Sequence, residues 1–209
     1  YGGPNIAKPM HVGHLRSAVI GESLKRIAKM LGHRVYADVH LGDWGLPMGL
    51  IITELSKRHP ELDYFNSEFA GPYPTESPVN LSDLESIYPT AKKHSDEDAE
   101  FLSAAREATR KLQQGSPGYR ALWRHFIDVS KIALQHDYAL LDVSFDLWLG
   151  ESHVQADIPQ MVEDLRNKGF ARESEGALII EVQQQDDDKP LPPLILLKSD
   201  GAVLYSTTD

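Results

Sequence analysis

The sequence predicts an α/β chain built on a βαβ unit with a parallel sheet, carrying a largely helical insertion and a C-terminal part that contains a β-hairpin. Three observations lead there. A proline- and glycine-bearing loop opens into an apolar helical repeat and then into alternating apolar and polar residues, the order strand, loop, helix, strand. Residues 60–117 change character, with Pro72, Pro74, Pro78 and Pro89 interrupting weak patterns. After Phe170 the period shortens to strand-like runs.

Taken in order, Pro4 and Pro9 hold the first residues out of helix, and Leu15, Ile20, Leu24, Ile27, Ala28 and Leu31 then recur at helical spacing until Gly32, a suitable C-terminal cap. Val35, Ala37, Val39 and Leu41 alternate with polar neighbours, as a strand with one buried face does. A second helix is expected from Gly45 to about His59, with Met48, Ile51, Ile52 and Leu55 on its apolar side. Residues 1–59 are thus the first half of a core and residues 60–117 an insertion, loop-rich at first and helical from about Asp96 to Gln114. Its acidic residues read as a solvated helix face and are assigned no chemistry. Residues 118–209 resume the core. Trp123, Ile127, Leu134, Tyr138 and Leu141 mark a long helix interrupted on its apolar stripe by Ser130, and a further helix is expected from Val154 to Lys168, with Ser152 as a possible N-cap. Strands are expected at 177–182, 193–198 and 202–207, with an acidic loop at 183–189 and a hairpin turn at Ser199-Asp200-Gly201.

Composition excludes several functions. The chain has 209 residues, no cysteine and a net charge of −10. Disulfides, thiolate metal sites and thiol nucleophiles are therefore out, and the acidic balance argues against a major nucleic-acid surface on this segment. No apolar run of about 18 residues is present, so no membrane span is expected. With no basic-then-apolar leader, a cytoplasmic location is expected. Because it opens at Tyr1 in the tail of a strand and stops at Asp209 after another strand-like run, the chain is expected to be a segment of a longer protein.

The chemistry concentrates near the start. In Pro4-Asn5-Ile6-Ala7-Lys8-Pro9-Met10-His11-Val12-Gly13-His14-Leu15-Arg16-Ser17, a loop delivers donors to a helix N-terminus, whose unpaired amides and partial positive charge suit a phosphate. His11 and His14, three apart, share one side of the first turn, and Gly13 allows a flat ring or a phosphate to come close to the backbone. A short His-x-Gly-His is compatible with ordinary surface histidines. The wider run, followed by Gly42-Asp43-Trp44-Gly45, resembles the nucleotide-binding signature of class I aminoacyl-tRNA synthetases and, among them, the arginyl-tRNA synthetases.

That resemblance implies the first part of a Rossmann-like nucleotide-binding domain that activates L-arginine with ATP and Mg²⁺ and passes it to tRNA(Arg). It implies that His11, Gly13 and His14 bind ATP, with Lys8 adding charge and partly standing in for a lysine-rich loop this segment lacks. It further implies that Asn5 and His11 hold the α-amino and carboxylate groups of arginine, while Glu151, Tyr205 and Asp209 bind its guanidinium. Taken alone, Glu151 and Asp209 are ordinary solvated acids. Thr208 stands where the family often has arginine, which puts one local contact in doubt. The parent is expected to be a monomer that grips tRNA mainly through other domains, and this segment alone is expected to be inactive. Another adenylyl-transferring nucleotidyltransferase and a catalytically silent, synthetase-derived binding protein remain as alternatives.

Overall fold

The computed structural model describes residues 1–183, 191–199 and 201–208, Tyr205 by its backbone alone. It has an α/β fold, mostly helical with a small antiparallel sheet, and divides into two compact units, Tyr1–Gly150 and Glu151–Asp209.

In the first unit, helices α1 (Val12–Met30), α2 (Leu46–Arg58), α3 (Leu81–Glu97), α4 (Ala99–Gln113) and α5 (Pro117–Leu140) follow one another. Helices α2 to α5 surround one core in which Met48, Ile51, Ile52, Leu84, Leu112, Leu122 and Phe126 are fully or almost fully buried. The strand expected at 35–41 is realised as isolated parallel bridges, Asn5 with Gly42, Asp38 with Leu147 and Leu41 with Gly150. Segment 37–42 thus lies between residues 3–6 and 146–150, tied by Gly3 N to Val39 O (2.8 Å), Ile6 N to Gly42 O (3.1 Å) and Leu41 N to Leu149 O (2.7 Å). Left-handed backbone at Gly3 (φ 63°) and His40 (φ 50°) prevents a continuous ladder.

Two expectations about helices need correction. Residues 81–113, expected to be loop followed by one helix, form two helices. Asn80 and Asp83 make a reciprocal cap at the start of α3, and Asp98 ends α3 and caps α4 by accepting from the amides of Glu100 (2.8 Å) and Phe101 (3.1 Å). Pro89 lies inside α3, where the proline pattern had suggested loop.

The second correction concerns the face of α1. Its periodic apolar residues Ile20, Leu24 and Ile27 are 55%, 62% and 51% exposed, whereas Ala18, Gly21, Glu22 and Lys25 face inward. Tyr1 explains why. Its ring lies on Gly21 so closely that a Cβ there would sit 2.0 Å from the ring, and its hydroxyl donates to Glu22 Oε2 at 2.8 Å. Glu22 also accepts from Lys25 Nζ (2.6 Å), Arg26 Nε (2.7 Å) and the Ser144 amide (3.2 Å). A satisfied buried charge cluster, not an oily seam, attaches this helix.

The second unit holds α6 (Glu151–Val154), α7 (Ile158–Asn167), strands β1 (Ala171–Ser174), β2 (Ala177–Ile180) and β3 (Leu194–Leu197), and α8 (Tyr205–Thr208). The strands form an antiparallel sheet in the order β1-β2-β3, and Ile158, Val162, Leu178 and Leu196 form the core beneath it. Strand β1 was not expected. A two-residue turn with Glu175 at φ 50° and Gly176 at φ 80° joins it to β2, the left-handed pair that matches hairpin twist. The helix expected from Val154 starts at Ile158 and has Asp157, not Ser152, at its N-cap. The strand expected at 202–207 is instead the short helix α8, held to β3 by Thr207 Oγ1 donating to Leu196 O at 2.8 Å. The turn before it is present, with Gly201 N donating to Lys198 O at 2.9 Å. Asp200 and most of the acidic loop expected at 183–189 lie outside the described residues.

Candidate active site

The signature loop is fixed by the segments on either side of it. Asn5 pairs with Gly42, and a Cβ at position 42 would come 2.0 Å from Asn5 Oδ1, so only glycine lets the exposed asparagine fold back there. Ala7 takes a left-handed conformation (φ 60°), stabilised by its amide donating to the buried Ser130 Oγ of α5 at 2.8 Å. Ser130, the polar break in an otherwise apolar stripe, is thus an anchor of the loop. Lys8 follows, with its ammonium 4.2 Å from the ring centroid of Tyr88 on α3. The sequence offered no signal for Tyr88, which falls in the proline-interrupted segment.

The two histidines build the start of α1. His11 is its N-cap, and its Nδ1 accepts from the Gly13 amide at 3.0 Å, while His14 Nδ1 accepts from the His11 amide at 3.1 Å. The rings lie 4.0 Å apart with a tilt of 31°. Because both Nδ1 atoms accept, the network assigns the proton of each neutral ring to Nε2. Each imidazole therefore keeps an N–H donor on the edge turned away from the helix backbone. Burial, and then the neighbouring His11, push the His14 imidazole below its ordinary 6.5.

This modifies how an anion would be bound. The amides of His11 and Gly13 already donate to imidazoles, so the donors offered beyond them are side-chain Nε2–H groups. At Gly13 a flat ring does come close to the backbone. The group close to its Cα is the His11 ring, whose Cε1 would lie 2.7 Å from an added Cβ.

The Gly42–Gly45 turn is structural. Asp43 and Trp44 are buried, Trp123 Nε1 donates to Asp43 O at 2.7 Å, and Trp44 meets Trp123 edge to face at 5.5 Å. Arg120 lies over the Trp44 ring, 4.7 Å from its centroid. This packing holds the partner segment of Asn5 in place.

The remaining predicted residues belong to the second unit. Glu151 is the first residue of α6, half-buried, and α6 packs against α8, which begins at Tyr205. Thr208 is buried at the end of α8, and Asp209 lies outside the described residues. The structure thus brings Asn5, Lys8, His11, Gly13 and His14 together on one loop and helix end, and brings the elements bearing Glu151 and Tyr205 together in the other unit. Among the described residues no three His, Asp or Glu side chains cluster as metal ligands, and no helix is long and apolar enough to cross a membrane.

The model of the class I tRNA synthetase (R) catalytic domain matches residues 1–209, and the chain belongs to that family. Over all 209 residues it is 59% identical to the arginine–tRNA ligase of Agathobacter rectalis and 51% identical to that of Alkaliphilus oremlandii. It covers 35% and 36% of those proteins, so the chain spans about a third of the length of the curated relatives it matches. Among solved structures it resembles the arginyl-tRNA synthetase of Plasmodium falciparum with a TM-score of 0.78 and 29% identity, covering 100% of this chain and 32% of that one. The Thermus thermophilus arginyl-tRNA synthetase, at 21% identity and a TM-score of 0.59 over 97% of this chain and 33% of that one, shares the fold.

Proposed function

We propose that the full-length polypeptide carrying this chain is an arginine–tRNA ligase, which activates L-arginine with ATP to arginyl-adenylate and transfers it to the 3′ end of tRNA(Arg) in cytoplasmic protein synthesis. One observation carries this reading beyond family membership: two imidazoles locked into a reciprocal cap, each keeping an Nε2–H donor, beside a loop whose lysine is held in place.

In the proposed reaction the arginine carboxylate attacks the α-phosphorus of ATP in line, pyrophosphate leaves, and the acyl group then passes to the terminal ribose of the tRNA. No covalent work falls to the protein. Catalysis is positioning plus stabilisation of charge on the phosphate oxygens, for which His11, His14 and Lys8 are the donors and Gly13 the residue that admits the His11 ring. Asn5 and His11 hold the α-amino and carboxylate groups. Glu151, Tyr205 and Asp209 form the guanidinium site, where carboxylates accepting from a planar fork of donors reject lysine and citrulline.

Mg²⁺ fits this scheme as part of the nucleotide. It prefers oxygen ligands and retains water, and the signature loop offers imidazole nitrogens and an ammonium. It therefore enters on the ATP phosphates, where it offsets their charge. The finer fold reading is a Rossmann-like core at 1–59 and 118–209 with an insertion at 60–117, in a monomer that contacts tRNA mainly outside these residues.

Arginine-dependent ATP–pyrophosphate exchange in the presence of tRNA tests the assignment. Replacing His14 by Ala in the full-length protein should lower kcat by about 100-fold, the usual loss for one preorganised donor to developing charge. No exchange by the full-length protein would overturn the function. Robust exchange by residues 1–209 alone would overturn the division of labour between this segment and the rest.

A further inference from the structure

Lys8 is held at two points by elements far away in sequence. On its backbone side, Ala7 is pinned in the left-handed region by the buried Ser130 hydroxyl of α5. At its other end the ammonium sits 4.2 Å from the centroid of the Tyr88 ring, on a helix from the segment whose composition suggested no chemistry. Tyr88 is itself half-buried and packs against both core clusters of the first unit, so the ring is a fixed platform. A lysine stem has four rotatable carbons and ordinarily samples many positions. The electron-rich face of a fixed aromatic ring restricts that sampling while leaving the charge intact and its donors available.

We infer that Tyr88 is a positioning residue that holds the Lys8 ammonium ready for a phosphate oxygen of ATP, making helix α3 part of the catalytic apparatus; this rests on the assignment of Lys8 to the ATP site above. The interaction requires the negative face of the ring, not its hydroxyl and not merely its volume. An isosteric change in ring electrostatics therefore separates positioning from packing.

The test uses the full-length protein in arginine-dependent ATP–pyrophosphate exchange. Tyr88→Phe keeps the π face and should keep kcat within about threefold of the parent. Pentafluorophenylalanine at position 88 keeps the shape and reverses the ring quadrupole. It should lower kcat about tenfold relative to Tyr88→Phe, with KM for arginine within about twofold and an unchanged Tm. In a Lys8→Met background, itself strongly impaired, the two ring variants should become equal, because the coupled partner is gone. Equal rates for the two ring variants with Lys8 present, alongside a strongly impaired Lys8→Met protein, overturn the role of Tyr88 alone. A Lys8→Met protein as active as the parent overturns the assignment of Lys8 and the inference with it.

Discussion

Whether an imidazole donates to a phosphate or occupies itself with its own backbone depends on which ring nitrogen carries the proton. At His11 and His14 the backbone decides, because each Nδ1 accepts an amide hydrogen and Nε2 is left to donate. Protonating His14 at Nδ1 would place a hydrogen against the His11 amide and break half of the cap. The folded-state pKa of His14 lies below its ordinary 6.5, so the stability of the neutral arrangement is fully present above about pH 6.5 and is lost as pH falls through that lower value. Titration of the His14 Cε1–H resonance in residues 1–209 should give a midpoint below 6.5, and a midpoint above 6.5 would overturn this linkage. The sequence made both histidines and their spacing legible. It could not show that their first partners would be the neighbouring amides of Gly13 and His11, because a capping box built from two histidines lacks the Ser/Thr and Glu/Gln signature that announces one.

At the level of elements, periodicity located α1, α2 and α5, missed α3 among the prolines, and failed on the direction in which α1 faces. Counting apolar residues finds a stripe, but which stripe is buried depends on what lies opposite, and opposite Gly21 and Glu22 lies Tyr1. Lys25 then donates to Ser144 O at 2.5 Å and Ser144 Oγ at 2.9 Å, and Arg26 to Asp142 O at 2.5 Å, completing the join between α1 and the loop after α5. Burial alone would raise the Glu22 pKa. Hydrogen bonds from Lys25, Arg26, Tyr1 and the Ser144 amide overcome that and hold it at about 2, below its ordinary 4.5. Glu22 therefore contributes stability that is complete above pH 4.5 and disappears as pH falls toward 2. Glu22→Gln leaves the buried Lys25 uncompensated and should cost about 3 kcal/mol at neutral pH. Its denaturant-derived stability should also vary less with pH below 4.5 than the parent's, and a parallel acid limb would show that Glu22 does not supply this linkage. A similar limit explains β1, whose Ala171-Arg172-Glu173-Ser174 has no apolar alternation and is a strand because the Glu175-Gly176 turn returns the chain onto β2.

At the scale of the whole molecule, the sequence made the α/β class and the signature loop legible, because those depend on local composition. It missed what only tertiary contact decides: the positive-φ residues that break the central ladder, and the service of Ser130 and Tyr88 to a loop more than seventy residues away. The same tertiary placement leaves Val19, Ile20, Leu24, Ile27 and Met30 exposed on one helix, with Met30 at 80%. Scattered exposed apolar residues are ordinary, but several on a single amphipathic helix form a contiguous patch of the kind that binds other apolar surfaces. The charge cluster on the opposite side fixes this orientation, since turning the stripe inward would bury the apolar side chains only by stranding Glu22 and Lys25 without partners. Residues 1–209 should therefore bind a hydrophobic fluorescent dye in the folded state. Combined Leu24→Lys and Ile27→Lys substitution should remove most of that signal, on the order of threefold or more, while circular dichroism and Tm stay unchanged because neither side chain packs in the core. If the double variant instead unfolds while dye binding by the parent is weak, the apolar stripe is buried and the charge cluster does not orient α1.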